Sequence, residues 1–565
     1  MNPTKISIWI IIILVAMFII SLLVSGSISK KTTISIVEQS IVVIDLSNIY
    51  PEIVKYEFNP FTFKKQISFP KLIFAIHSAA LDNDVDALLL KNTSILGLSK
   101  TWELSQALQS FQKAEKPIYG YFEAGGFSTL LLASICDTAV SCNEGTFFVP
   151  GLLANMLYLK GTFDKLGIGF DVVRAGKYKD AAEMFVNTGM GPDTRETYEL
   201  LLDHIFYRIC SDWAGNLDIP PDSVESIIDR AVFGAHEAKE LGLIDTIVYW
   251  SEFIENLIGE DEDRLISITK YTSRKPVWTE SDKEIAVVLA SGSITSGAGK
   301  WSEGITAKRY CKTIRALADD DDISAIVLRV DSPGGSVIAS DLIYHELVYA
   351  ADKKPLIVSM GSVAASGGYY LSMPGDTIFA TPYTITGSIG VIMLRPHFEE
   401  LYSKIGANPQ TIKRGKFADI FTGNHPMTAE EIAVFQKVID ESYEQFVIKA
   451  AGGRDTTYAW IDSVAQGRVW SSSAAESLAL VDNIGSLWDA ILLAEKIAKV
   501  PEGEHAKFIL KPRPHSFLDF AQEFGGAVAK EFLPKTIVAH LATVELAEML
   551  KAKPLYLWTG KVSAE

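Results

Sequence analysis

The chain has only four cysteines in 565 residues: Cys136, Cys142, Cys210 and Cys311. No two of them have CxxC or zinc-finger spacing, so the cysteines outline neither a metal module nor a redox motif, and free buried thiols are expected. Positive charge is also scarce. Against 69 acidic residues stand 52 Lys and Arg, a net charge of −17. No concentrated basic stripe is available to neutralise phosphates, which argues against a nucleic-acid partner. Such an acidic surface serves solubility. Finally, only one uncharged stretch is long enough to cross a bilayer, and it lies near the N-terminus.

That stretch, ISIWIIIILVAMFIISLLV (6–24), carries no charge. At ~1.5 Å per residue it spans roughly 28 Å, close to a ~30 Å hydrocarbon core. It is longer than the ~7–15-residue apolar core of a secretory signal. Residues 1–30 are therefore expected to be an uncleaved transmembrane anchor, although the small residues of SGS (25–27) would also suit a cleavage site. Lys5 on one flank and Lys30 and Lys31 on the other nearly balance, so charge does not set the orientation.

At this length at least two domains are expected. Apolar β-branched runs alternate with helix-like stretches, the mark of an α/β fold. Such runs are IVVIDL (41–46), ALLLK (87–91), IAVVLA (285–290), AIVLRV (325–330) and PLIVSM (355–360). The pattern occurs twice. DVDALLLKN (84–92) parallels DISAIVLRV (322–330), FDKLGIGFDVVRAGKYKDA (163–181) parallels YSKIGANPQTIKRGKFADI (402–420), and AKELGLID (238–245) parallels AESLALVD (475–482). Three matches in one order at nearly one offset indicate two similar domains in tandem. The expected division is 36–272 for the first repeat, 283–500 for the second and 501–565 for a helical tail, with FLDFAQEFGGAVAKEFL (517–533) its helix-like part.

The second repeat holds three glycine-rich turns. VDSPGGSV (330–337) follows a buried strand, and paired glycines there permit φ > 0 and a close backbone approach to a ligand. In SVAASGGYYLSM (362–373), Ser366 stands between a strand and a helix N-terminus, and the Gly367 amide is placed to complete an oxyanion hole. TITGSIGV (384–391) brings another hydroxyl, Ser388. GxSxG is absent around Ser366, so an α/β-hydrolase elbow is not indicated.

The order SPGGS, AASGGYY, TGSIG resembles the signal peptide peptidase A family of serine peptidases, in its double-length, membrane-anchored form, and GKYKDAAEMF (176–185) is similar to that family's lysine segment. The resemblance implies two tandem ClpP/crotonase-like repeats. It implies Ser366 as nucleophile and Lys179 as general base, with an oxyanion hole from Gly367 and the Gly334/Gly335 loop, and with Ser388 orienting the lysine or a water. Neither cofactor nor metal is implied. It further implies hydrophobic peptide substrates such as remnant signal peptides, a homotetramer, and a single-pass protein of the bacterial inner membrane whose catalytic part faces the periplasm. An acyl-CoA enzyme of the same fold and an inactive scaffold are the alternatives.

The duplication supplies a control. In the first repeat Ser366 falls on Phe127 of GGFST, and in the second Lys179 falls on Ala418 of GKFAD. Each repeat keeps one partner of the pair, so the two must meet at one site. Lys177 recurs as Lys416, which favours a structural role for it, although an extended segment would put Lys177 and Lys179 on one face. A lysine base must be neutral, and burial between the repeats, near Met184 and Phe185, would lower its pKa. His397 is the rival base; His345 is expected on a helix surface or in packing.

Overall fold

The computed structural model describes residues 38–54, 58, 59, 64–274, 276–297 and 304–513. The apolar run 6–24 and the helix-like stretch 517–533 lie outside the described residues. Among the described residues, no helix is long and apolar enough to cross a membrane.

Two sheets organise the chain, one six-stranded and parallel, the other eight-stranded and mixed. The first runs Thr246–Ile247, Thr138–Ser141, Ile118–Tyr121, Val85–Lys91, Ser40–Asp45, Leu265–Ser267. Six strands of the second run Asn483–Ile484, Thr377–Ala380, Leu356–Ala365, Ile323–Ser332, Thr279–Ser291, Glu504–Lys511, and its other two branch from the end of Leu356–Ala365, Ile385–Gly387 parallel to it and Val469–Ser471 antiparallel to Ile385–Gly387. Across these six strands the order in space and along the chain is the same in both sheets. Strands buried on both faces need apolar side chains at successive positions, which is why AIVLRV and PLIVSM are nearly unbroken apolar runs. The last strand of the second sheet, Glu504–Lys511, lies beyond Val500, where a helical tail was expected to begin. Its EHAKFILK pattern puts only a short apolar run among polar residues, too weak to read as a core strand.

The tandem repeat extends to single hydrogen bonds. Asp137 accepts from Ile118 N at 2.8 Å, and Asp376 accepts from Leu356 N at 2.8 Å. Asp245 accepts from Ala139 N at 2.6 Å, and Asp482 from Ile378 N at 2.7 Å. Each carboxylate ties the start of one strand to a neighbouring segment.

Among the contacts that join the repeats, two unlike ones stand out. An antiparallel ribbon pairs Gly169–Ala175 of the first with Val391–His397 of the second, and an Asp171–Arg395 ion pair at 2.7 Å supports it. Elsewhere Arg329, 1% exposed, reaches from the second sheet into the first repeat. Its guanidinium donates to Glu103 at 3.1 Å and to Glu52 at 3.3 Å, while Glu103 also accepts from Leu487 N at 2.8 Å. Burial pushes the Glu103 carboxyl up, with Arg329 opposing. Glu52 feels the same burial, but Arg329 and Lys100 hold it below its ordinary value. Arg329→Met would strip the buried Glu103 of its cation and leave Glu52 with Lys100 alone. It is expected to cost about 3–5 kcal/mol, read as a lower urea midpoint with an unchanged slope.

Candidate active site

The apolar strand Leu356–Ala365 ends at Ser366, whose amide still donates to Gly387 O at 2.8 Å. Immediately after that bond the chain turns: Ser366 has φ +54° and ψ −117°, and the helix Gly367–Ser372 starts at the next residue. A non-glycine residue in this region carries strain of about 1–3 kcal/mol, sustained only because its surroundings fix it. The surroundings here are close. A Cβ added to Gly334 would fall 2.6 Å from Gly367 N and 2.9 Å from Ser366 Cβ, so the glycine loop lies directly against the serine.

That loop is set by the end of strand Ile323–Ser332. Ser332 Oγ donates to Gly292 O at 2.7 Å and accepts from Gly334 N at 3.1 Å. Ile294 holds the loop from the other side, its amide donating to Gly334 O at 2.9 Å and its carbonyl accepting from Ser336 N at 2.9 Å. The Gly334 amide is thus engaged. The Gly335 and Gly367 amides have no partner among the described residues and are free to point at an anion.

Lys179 comes from the other repeat. The turn 176–180 follows strand Gly169–Ala175, and the ribbon carries it to the second sheet. Lys179 is 6% exposed. Its Nζ lies 3.0 Å from Ser366 Oγ, 2.9 Å from Ser388 Oγ and 2.7 Å from Ser388 O. Burial lowers its pKa to about 8, against the opposing pull of Asp180. Ser388, like Ser366, has positive φ, +53°.

The structure brings Ser366, Lys179, Ser388, Gly334, Gly335 and Gly367 together, with Ser366 and Lys179 in one chain. It also decides several details that the sequence left open. Segment 176–180 is a turn, not extended, and Lys177 diverges from Lys179: it is exposed, 3.8 Å from Asp193 and over the Tyr178 ring. Phe185 packs in a ring cluster with Phe163 and Phe170. His397 sits at the far end of the ribbon, paired with Gly169, roughly 20 Å along the strand from Val391. His345 is exposed on helix Val337–Ala351. In the first repeat Gly126 caps the helix that Phe127 begins, so Gly126 holds Ser366's place, and neither Gly126 nor Phe127 has a hydroxyl. GKYKD and GKFAD take the same turn, with Lys179 N donating to Gly176 O at 3.2 Å and Ala418 N to Gly415 O at 3.4 Å. The Ser388 carbonyl was missed, because main-chain acceptors leave no mark in residue identity.

Other chemistry is limited. All four cysteines are free, and Cys210 alone is fully buried. Asp419, His425 and Glu431 bring potential ligand atoms within 4.8 Å of one another. Both Asp419 oxygens already accept from Lys413, at 2.8 and 2.9 Å, and Glu431 caps its own helix at Thr428, so the group is internally satisfied.

The family model Peptidase family S49 matches residues 110–262 and 349–501, and the Clp protease model matches 283–386. The chain is similar to Serine protease SPPA, chloroplastic, of Arabidopsis thaliana: 32% identical over 506 residues, covering 87% of this chain and 74% of that one. It is similar to Protease 4 of Salmonella typhi, 30% identical over 502 residues, covering 85% and 80% of the two chains. Protease 4 of Haemophilus influenzae is 29% identical over 453 residues, covering 77% and 73%.

Proposed function

This chain belongs to peptidase family S49 and is a serine peptidase, and from that premise we propose that Ser366 is its nucleophile and Lys179 its general base. The observation that carries this reading is the buried Lys179 ammonium 3.0 Å from the hydroxyl of a serine held at positive φ. A base with a pKa of about 8 is neutral in about one molecule in ten at pH 7, enough to accept a hydroxyl proton.

Neutral Lys179 takes the Ser366 proton as Oγ attacks the scissile carbonyl. The oxyanion forms facing the Gly335 and Gly367 amides, and Gly334 shapes the loop that aims them. The Lys179 ammonium, held meanwhile by the Ser388 carbonyl and hydroxyl, gives its proton to the departing amine. In the second half a water enters, loses a proton to Lys179 and attacks the acyl-enzyme. The carboxylic product then leaves and Ser366 regains its proton.

The reading extends to an endopeptidase of hydrophobic peptides, remnant signal peptides among them. The enzyme is anchored by the uncharged run 6–24 in a bacterial cytoplasmic membrane, with both repeats on the outer side, and works as a homotetramer. The length and purity of that run support the anchor. The resemblance across the three glycine-rich turns supports the substrate class and the assembly.

Ser366→Ala and Lys179→Ala should each lower kcat by about 10³-fold or more on a peptide substrate, whereas Lys177→Ala should stay within about twofold, since exposed substitutions of this kind cost little. Full activity in Lys179→Ala would overturn the dyad. The base works only when deprotonated, so kcat/KM should rise with pH through about 8 and level off above it. A limb near pH 6.5 would instead indicate a histidine.

A further inference from the structure

The turn 465–468, in the motif AQGR, lies outside every glycine-rich element singled out above, yet it touches both ends of the Lys179 hydrogen bonds. Gln466 O accepts from Tyr178 N at 2.8 Å, so the main chain beside Lys179 is bonded to it directly. Gly467 has φ +79°, and a Cβ added there would fall 2.7 Å from both Lys179 Cβ and Lys179 N. The turn's other side reaches the acceptor of the ammonium. Arg468 O accepts from Ser388 N at 2.7 Å, and Gly467 N donates to Ile389 O at 2.8 Å.

The turn is itself anchored. The Gln466 side-chain amide donates to Asp462 at 2.7 Å and to Tyr443 Oη at 3.0 Å, while Tyr443 donates to Asp462 at 2.6 Å. The Arg468 guanidinium lies over the rings of Tyr178 and Trp470 and donates to Glu196 at 2.9 Å. The first repeat provides the comparison. Aligning Ala238 with Ala475 puts Arg230 where Gly467 stands and Asp229 where Gln466 stands. Arg230 there is paired with Glu237 on the surface. The glycine occurs in the copy against which a lysine main chain packs.

We propose that the turn 465–468 is the positioning element of the dyad, with Gly467 giving the Lys179 main chain its close seat and Gln466 and Arg468 fixing that seat relative to the Ser388 carbonyl. This rests on the dyad reading above. Gly467 and Gln466 act through Lys179 and touch no reacting atom. The charged groups around the lysine are Asp180 and Glu183 on its own segment, Arg174 on the preceding strand, and the Arg468–Glu196 pair across the interface.

The experiment compares Gly467→Ala, Gln466→Ala and Lys179→Ala in the full chain, with kcat and KM measured on one peptide from pH 6 to 10 and folding checked by thermal melting. A methyl at Gly467 forces the Lys179 main chain to shift against the turn by a fraction of an ångström or more, and misplacement of that order costs about 10²-fold in kcat, with KM held. Gln466→Ala, which removes side-chain anchors alone, should cost about tenfold. Lysine moved out of its dry seat regains water, so its pKa climbs toward 10.5 and the acid limb of kcat/KM shifts to higher pH in both variants. Wild-type kcat in folded Gly467→Ala overturns the inference. So does a fall in kcat at every pH with the limb unmoved, the result of general loosening. If Gly467→Ala does not fold, the same readings on Gln466→Ala decide. An active Lys179→Ala fails the dyad itself, and is thereby distinguished from a failure of the turn alone.

Discussion

An ammonium group shut between two repeats, 3.0 Å from a serine hydroxyl, is the contact around which the molecule is arranged. Neither repeat can dehydrate Lys179 alone. One supplies its main chain, and the other supplies Ser366, both Ser388 acceptors and the turn that covers it. Its pKa lies below the 10.5 of a free lysine, so between about 8 and 10.5 the unfolded chain binds more protons than the folded one. Folding stability from this residue therefore rises with pH through that window, and below it the native state bears a constant penalty. Contacts elsewhere between the repeats must offset that penalty. The antiparallel ribbon and the buried Arg329 cluster are well placed to do so, and they are also what fixes the registry of one repeat on the other.

The two copies have diverged unevenly. Their sheets keep the same strand order and the same carboxylate-to-amide bonds at Asp137 and Asp376, and at Asp245 and Asp482. What differs lies at strand ends, in the turns that meet around Lys179. Sheet geometry is over-determined by many contacts, while a turn at an interface can change once its partner supplies the missing group. Membership of a peptidase family removes the acyl-CoA and scaffold alternatives, and the fold they shared is retained.

Much of this could be read from the sequence, for physical reasons. Parallel strands buried on both faces are written as apolar runs, so five of them stand out directly. Divergence between duplicated segments separates scaffold from chemistry, and thus Ser366 from Phe127, and Lys179 from Ala418. Features made by the main chain or by shape were silent. The Ser388 carbonyl is an acceptor any residue would have offered. That Gly334 spends its amide on Ser332, leaving Gly335 free, follows from a side-chain bond within the loop. Strand Glu504–Lys511 is an edge strand with half-buried residues and little periodic signal. Segment 176–180 has the composition of a strand extension, but Gly176 at φ +106°, pressed against Gln466, turns it.

Lys179 and Ser366, the proposed base and nucleophile, stand 187 positions apart in a single chain. Their meeting is an intramolecular docking with an effective concentration set by the connecting chain, and not by how much protein is present. Mass action therefore has no hold on the site. Dilution that separated one molecule from its neighbours would leave every lysine with its own serine, and any assembly of several chains is free to serve access and enclosure instead of chemistry.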